Sequence, residues 1–285
     1  MELMDKGWNI ASPDVTTPDE IEAFRNTYAE NKGSVLPAFE FWLQLRPDPL
    51  KRYRMQARQS PDPKMLDAPF SVLAFLHYYC VEGYEDGILY ESTHALKNGA
   101  TKDEVIDTIA VAFIHAAPKG LRYAGTSTLD YLKAFDDSDS PGLPWPDHWN
   151  HDPDLLSTGL DFTDPDMLSG ELDLIRDWNL RVLGEVPRYV EFLGKYQPNL
   201  LKAQRSRFEF ALKVSPAQYL PYLLTHFNVT RGFAPGIREG VLMGKGLGMT
   251  KLDILDAIKW GMIYGGPAAI STADEAVSDI LDDWV

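Results

Sequence analysis

One cysteine, Cys80, stands in a chain of 285 residues, so an internal disulfide framework and an all-cysteine metal site are both excluded. A lone thiol suits a reducing compartment, and a cytoplasmic protein is expected. No apolar run approaches the roughly 20 residues that a membrane-spanning helix requires, and the start MELMDKGWNI lacks a basic segment followed by an apolar core; no membrane partner is expected. Basic residues are scarce as well. The 27 Lys and Arg against 42 Asp and Glu leave a formal net charge of -15, which argues against nucleic acid as a partner because phosphate-backbone binding depends on Lys and Arg displacing counterions. Sustained period-two alternation bounded by hairpin turns is missing, which leaves an all-α fold as the expectation. Motifs that cradle phosphate, dinucleotide or haem are absent, so no organic cofactor is expected.

What is present is a 45% hydrophobic composition, enough for a sizeable core, and a pattern that occurs twice. Gly83, Gly87 and Gly99 recur as Gly232, Gly236 and Gly248 at one offset, since 232 minus 83 gives 149. The same offset pairs His77 with His226, Thr101 with Thr250, Asp107 with Asp256 and Pro118 with Pro267. With a one-residue gap the pairing extends upstream, setting LPAFEFWLQLRPDPLK from Leu36 beside VPRYVEFLGKYQPNLLK from Val186. The chain reads as two tandem helical repeats.

Each repeat predicts a helix with its start and stop written out. Thr101 and Glu104 have capping-box spacing, in which each side chain satisfies a free backbone N–H of the other residue. Val105, Ile109, Phe113 and Ala116 then share a face, and Pro118 limits the helix because it has no N–H to donate. Thr250, Asp253, Ile254, Ile258 and Met262 repeat the arrangement up to Pro267. Gly99 and Gly248 suit the C-terminal caps of the preceding helices, where a positive φ favours glycine. Between the repeats, FDDSDSPGLPWPDHWNHDPD is too rich in Asp and Pro for regular helix, and Trp145 and Trp149 are expected to dock it on a core. The expected organisation is residues 1–134 as the first repeat with an N-terminal extension, 135–167 as linker, and 168–285 as the second repeat, with scaffold duty.

The stretches ESTHALKNGATKDEVIDTIAVAFIHAAPKGLRYA and GVLMGKGLGMTKLDILDAIKWGMIYGGPAA resemble the carboxymuconolactone decarboxylase and alkylhydroperoxidase D-like superfamily. The resemblance lies in the ALxxGxTxxE turn and the helix that runs on to a small-small-Pro end. It implies an all-helical fold and a homo-oligomer, because single-repeat relatives assemble as trimers or hexamers. In the peroxidase branch the preceding helix carries Cys-x-x-Cys, a His four residues on, and an upstream Glu. Counted back from Gly99, those positions are Tyr84, Gly87, Glu91 and Val72 here, and Phe233, Gly236, Gly240 and Pro221 in the second repeat. Disulfide exchange requires a second thiol, so dithiol peroxidase activity is not expected. In the decarboxylase branch the motif ELxxHxxxAL places a His where GILYESTHAL has Glu91. The resemblance then implies a lyase, decarboxylase or isomerase acting on a small organic acid or lactone.

The residues read by themselves give the same candidates. Glu91 on an inward face next to Tyr84 would be desolvated, its pKa raised toward working pH, and so suited to moving a proton. Tyr84, seven residues earlier, would share its face and stabilise developing charge, with His115 and His94 as further proton handlers. Lys119, Arg122, Arg231 and Arg238 are the cations expected to hold a substrate carboxylate. Cys80 with His77, three residues away, is a possible redox pair. Two alternatives accompany the enzyme: a catalytically inactive binding or oligomeric scaffold, and a redox enzyme using Cys80. Glu82, Glu85, Asp86 and the linker's His148, His151 and Asp152 match no metal-ligand spacing, and no metal is expected.

Overall fold

In the computed structural model, residues 4–59, 69–116 and 118–284 are described. Their regular structure is helical apart from one short ribbon, β1 (Met4–Asp5) paired antiparallel with β2 (Trp8–Asn9). Three helices follow, α1 (Pro18–Lys32), α2 (Pro37–Leu45) and α3 (Asp48–Ala57), and then four that carry the first motif: α4 (Pro69–Glu82), α5 (Glu85–Lys97), α6 (Lys102–Ala116) and α7 (Pro118–Ala134). After an irregular stretch with one 3-10 turn at Pro153–Leu156 come α8 (Glu171–Leu183), α9 (Arg188–Tyr196), α10 (Pro198–Glu209), α11 (Tyr219–Arg231), α12 (Ala234–Gly246), α13 (Lys251–Gly265) and α14 (Pro267–Asp282).

The helix starts follow from capping. Thr101 N donates to Glu104 Oε2 at 2.8 Å while Glu104 N donates to Thr101 Oγ1 at 3.2 Å, closing the reciprocal box at the start of α6. Thr250 and Asp253 do the same for α13. Glu104 also accepts from Leu143 N at 3.0 Å and Trp145 Nε1 at 2.9 Å, so one carboxylate both starts a helix and pins the linker. Trp149 is buried and packs with Trp145 on Phe70 of α4, the docking expected of the two linker tryptophans. On α6 the deepest positions are Val105, Val111 and Ala112, with Ile109 and Phe113 only half-buried.

The bounds of α5 and α6 recur in α12 and α13, and the start of α7 recurs in that of α14, at one offset, as 251 minus 102 gives 149. Upstream, Lys51 of α3 is fully buried and donates to Glu20 at 2.8 Å and to Val15 O at 2.6 Å. Lys202 of α10, which is 151 residues further on (202 minus 51), donates to Glu171 at 2.7 Å and to Asp166 O at 2.8 Å. One continuous core joins the two halves: Leu73 and Leu76 of α4, Val105 of α6, Leu223 and Val229 of α11 and Ile254 of α13 belong to it. A smaller cluster of Trp8, Phe24, Tyr28, Leu43, Leu50 and Tyr90 packs α1, α2 and α3 over α5.

Candidate functional site

Between that N-terminal layer and the helices beneath it lies a cavity of about 200 Å³. Its walls come from six helices and a turn: Tyr28 and Lys32 from α1, Tyr53 and Arg54 from α3, Ser71, Val72, Phe75 and Tyr79 from α4, Tyr90, Glu91 and His94 from α5, Trp260 and Tyr264 from α13, Phe39 from α2, and Lys6 from the β1–β2 turn. Both halves of the chain therefore contribute.

Glu91 is 3% exposed. Both its oxygens accept from Lys32 Nζ, at 2.9 and 3.1 Å, and His94 Nδ1 stands 3.6 Å from Oε2. Burial by itself opposes ionisation of Glu91, as expected, but the Lys32 ammonium and His94 outweigh it and hold the carboxyl below its usual range rather than above it. Burial lowers the Lys32 ammonium, against the pull of Glu91, and lowers His94, so that imidazole is neutral near pH 7. Lys32 also lies 4.3 Å from the centroid of the Tyr90 ring, a cation–π contact. Arg54 Nε and Nη2 donate to Asp5 at 2.6 and 3.3 Å, tying the cavity wall to β1. Tyr79 and Tyr264 hydroxyls hydrogen-bond to each other across the floor. One donor in the lining, Tyr90 Oη, is buried without a hydrogen-bond partner in the described residues.

Of the residues singled out in the sequence, Glu91 and His94 line this cavity and the others do not. Tyr84 is not on the helix that carries Glu91: Gly83 at φ +77° ends α4, α5 begins at Glu85, and Tyr84 is the residue between, 36% exposed with its ring against Tyr79. His115 points elsewhere, its Nδ1 2.9 Å from His77 Nε2 and its ring stacked on Phe227; burial pushes it down to about 4. Tyr264, which has the register of His115 in the second half, is the one that reaches the cavity. Lys119 and Arg122 are exposed on α7. Arg231 pairs with Glu82 at 2.5 Å on the surface, and Arg238 pairs with Asp279 at 3.0 Å. The cations at the cavity are instead Lys6, Lys32 and Arg54. Cys80 is fully buried and its thiol is pushed up to about 12, so no thiolate is present near neutral pH. In the linker, His148 Nε2 is 2.7 Å from Asp253 Oδ2 and His151 Nδ1 is 2.9 Å from Val214 O, which leaves both in structural pairings.

In the second half the position matching Glu91 is Gly240, where an added Cβ would lie 2.6 Å from Thr225 Oγ1. The space matching the cavity, beside Asn179, Gln204 and Arg205, is about 20 Å³.

No protein-family model and no curated protein matches the chain. Among solved structures it is similar to a Burkholderia xenovorans protein provisionally assigned as a gamma-carboxymuconolactone decarboxylase subunit, with a TM-score of 0.57 and 15% identity over 94% of this chain and 98% of that one. The chain therefore has the all-helical carboxymuconolactone decarboxylase-like fold, and with one cysteine it lacks the paired thiols of the peroxidase branch.

Proposed function

We propose that the cavity is the active site of an acid–base enzyme of the lyase, decarboxylase or isomerase type, acting on a small organic acid or lactone, with Glu91 as the proton-moving group. The observation that carries this reading is an ionised carboxylate buried on the wall of a cavity lined by aromatic and polar side chains, with an ammonium and a neutral imidazole beside it. Held ionised beside Lys32, Glu91 starts the cycle as the proton acceptor, and a substrate that displaces Lys32 from it raises its basicity. Glu91 takes a proton from carbon next to a carbonyl or carboxylate, and Lys32, already within hydrogen-bond reach of Glu91, stabilises the negative charge that develops. Protonated Glu91 then returns the proton to carbon at the product position, with His94 as the neutral neighbour able to relay it. Lys6 and Arg54 make the chamber attractive to an anion, and Arg54 retains N–H donors beyond the two spent on Asp5.

The scaffold alternative requires Glu91 in solvent or in an interface, and its burial favours the enzyme. A redox role for Cys80 has neither a thiolate nor a second thiol to draw on. The repeated helix bounds and the paired Lys51 and Lys202 support an internal duplication in which the second half serves as wall and scaffold. Exposed apolar residues at matching places, Phe41 and Leu45 on α2 and Phe192 and Tyr196 on α9, support a homo-oligomer. The test is a screen of small organic acids and lactones with wild type and Glu91→Gln: the substitution is expected to abolish turnover with an unchanged circular dichroism spectrum and elution volume, and an unaffected rate refutes the assignment.

A further inference from the structure

A second carboxyl group lies behind the cavity wall, unused by the chemistry above. Asp256 of α13 is fully buried, and its Oδ2 accepts a hydrogen bond from Tyr222 Oη of α11 at 2.8 Å. Tyr222, equally buried, shares another hydrogen bond with Ser71 Oγ at 3.2 Å. Ser71 is on α4 and lines the cavity. The carboxylate in the same register of the first half, Asp107, accepts from three backbone amides instead, Lys213, Val214 and Ser215, at 2.9 to 3.0 Å. Asp107 is thus held by backbone amides, whereas Asp256 is held by side chains, the Tyr222 phenol and the Trp260 indole, and the phenol leads through Ser71 to the cavity.

The hydroxyl chain has two possible polarities. An ionised Asp256 only accepts, so Tyr222 donates to it, Ser71 donates to Tyr222, and the Ser71 oxygen is left as an acceptor facing the cavity. A protonated Asp256 can donate to Tyr222; Tyr222 then donates to Ser71, and the Ser71 proton is left for the cavity. We propose that Ser71, Tyr222 and Asp256 form a proton relay that couples the ionisation of Asp256 to the hydrogen-bond polarity of the cavity wall. One proton delivered to Ser71 Oγ from the cavity sends the serine proton to Tyr222 and the tyrosine proton to Asp256, with no heavy-atom bond made or broken. Asp256 is then a positioning group and a proton store, and Ser71 is the atom a ligand meets. Its use in turnover rests on the cavity being a substrate site; the coupling itself does not.

Burial pushes the Asp256 carboxyl up to about 6, a range in which both polarities are populated near neutral pH. The other groups acting on it among the described residues are Tyr222 from α11 and, on its own helix, Lys259, Trp260 and Asp253. From the linker, His148 and Trp149 bond Asp253 rather than Asp256.

The experiment is a titration of the full chain labelled with ¹³C at aspartate Cγ, without ligand, from about pH 4 to 8. The Asp256 signal is identified by its loss in Asp256→Asn. A midpoint of about 6 is expected. Tyr222→Phe is expected to raise it by about one pH unit, because the ionised form loses its donor. Ser71→Ala, which removes a group that does not touch Asp256, is expected to raise it by less, and Ser71→Thr to restore it. A midpoint that shifts in Tyr222→Phe but is unmoved in Ser71→Ala overturns the relay and leaves a local hydrogen bond, and an Asp256 that stays ionised throughout overturns it as well. None of these outcomes depends on turnover, so the relay and the Glu91 assignment fail separately.

Discussion

Replacing Lys32 by Met removes the ammonium 2.9 Å from Glu91 and keeps an apolar stem of similar length. Breaking a buried ion pair from one side costs about 3–5 kcal/mol, because the remaining charge stays desolvated. Glu91 is 3% exposed, but it borders a polar-walled cavity of about 200 Å³. A space of that kind holds water, which sets the expected cost at the lower end, about 3 kcal/mol at neutral pH. The same energy corresponds to a rise of about two pH units in the Glu91 carboxyl relative to the unfolded chain. In the native protein that carboxyl is held below its ordinary value, so the ionisation of Glu91 contributes stability above about pH 4.3 that is lost as pH falls through the folded value. In Lys32→Met the sign reverses: the folded state binds the proton more tightly, and stability falls as pH rises through the unfolded value toward the folded one. The gap between wild type and variant is therefore expected to widen from about pH 5 to about pH 8 in urea unfolding at constant m-value. Lys32→Met with Glu91→Gln removes both charges and is expected to recover most of the loss. An equal loss at both pH values, or a double variant no more stable than the single one, refutes the argument.

Cys80 in the native protein is expected to resist a thiol reagent such as DTNB for as long as the fold persists and to react at once in urea, since the buried thiol is held up to about 12; fast reaction in the native state refutes its burial. Cys80→Ala should leave any activity and its pH profile unchanged. At Gly246 an added Cβ would collide with the Val182 carbonyl oxygen where α12 crosses α8; Gly246→Ala is expected to cost about 2 kcal/mol or more in urea unfolding, and a neutral result would mean that the two helices separate freely.

What the sequence revealed about the site is bounded by what local pattern can carry. Glu91 was legible because the Gly99 turn and the Thr101 box fix the register of α5, and a register counts residues along one chain segment. Lys32 was not: it is an ordinary basic residue in the last turn of α1, where the helix dipole alone would justify it, and its partner is 59 residues away. Arg54 on α3, Tyr79 on α4 and Trp260 and Tyr264 on α13 were missed for the same reason, since the approach of those helices to α5 is set by packing. Tyr84 was misplaced by one helix boundary, because Gly83 turns the chain just before α5 begins. His115 was paired with Tyr264 by repeat register, and register assigns the same slot without saying which half opens onto the chamber. The all-α architecture and the linker docking were legible because capping boxes, glycine turns and lone tryptophans act over short distances.

Trp260 and Tyr264 belong to the second half of the chain, yet they wall the chamber that holds Glu91 of the first half. The two halves are consequently not severable parts. A fragment ending at the linker would keep Glu91 and Lys32 but lose a side of the vessel that encloses them. Drift in the second half is also not free: a substitution on the cavity side of α13 alters a site more than 160 residues earlier in the chain (260 minus 91 gives 169), while neighbouring exposed positions such as Leu252 carry no such tie.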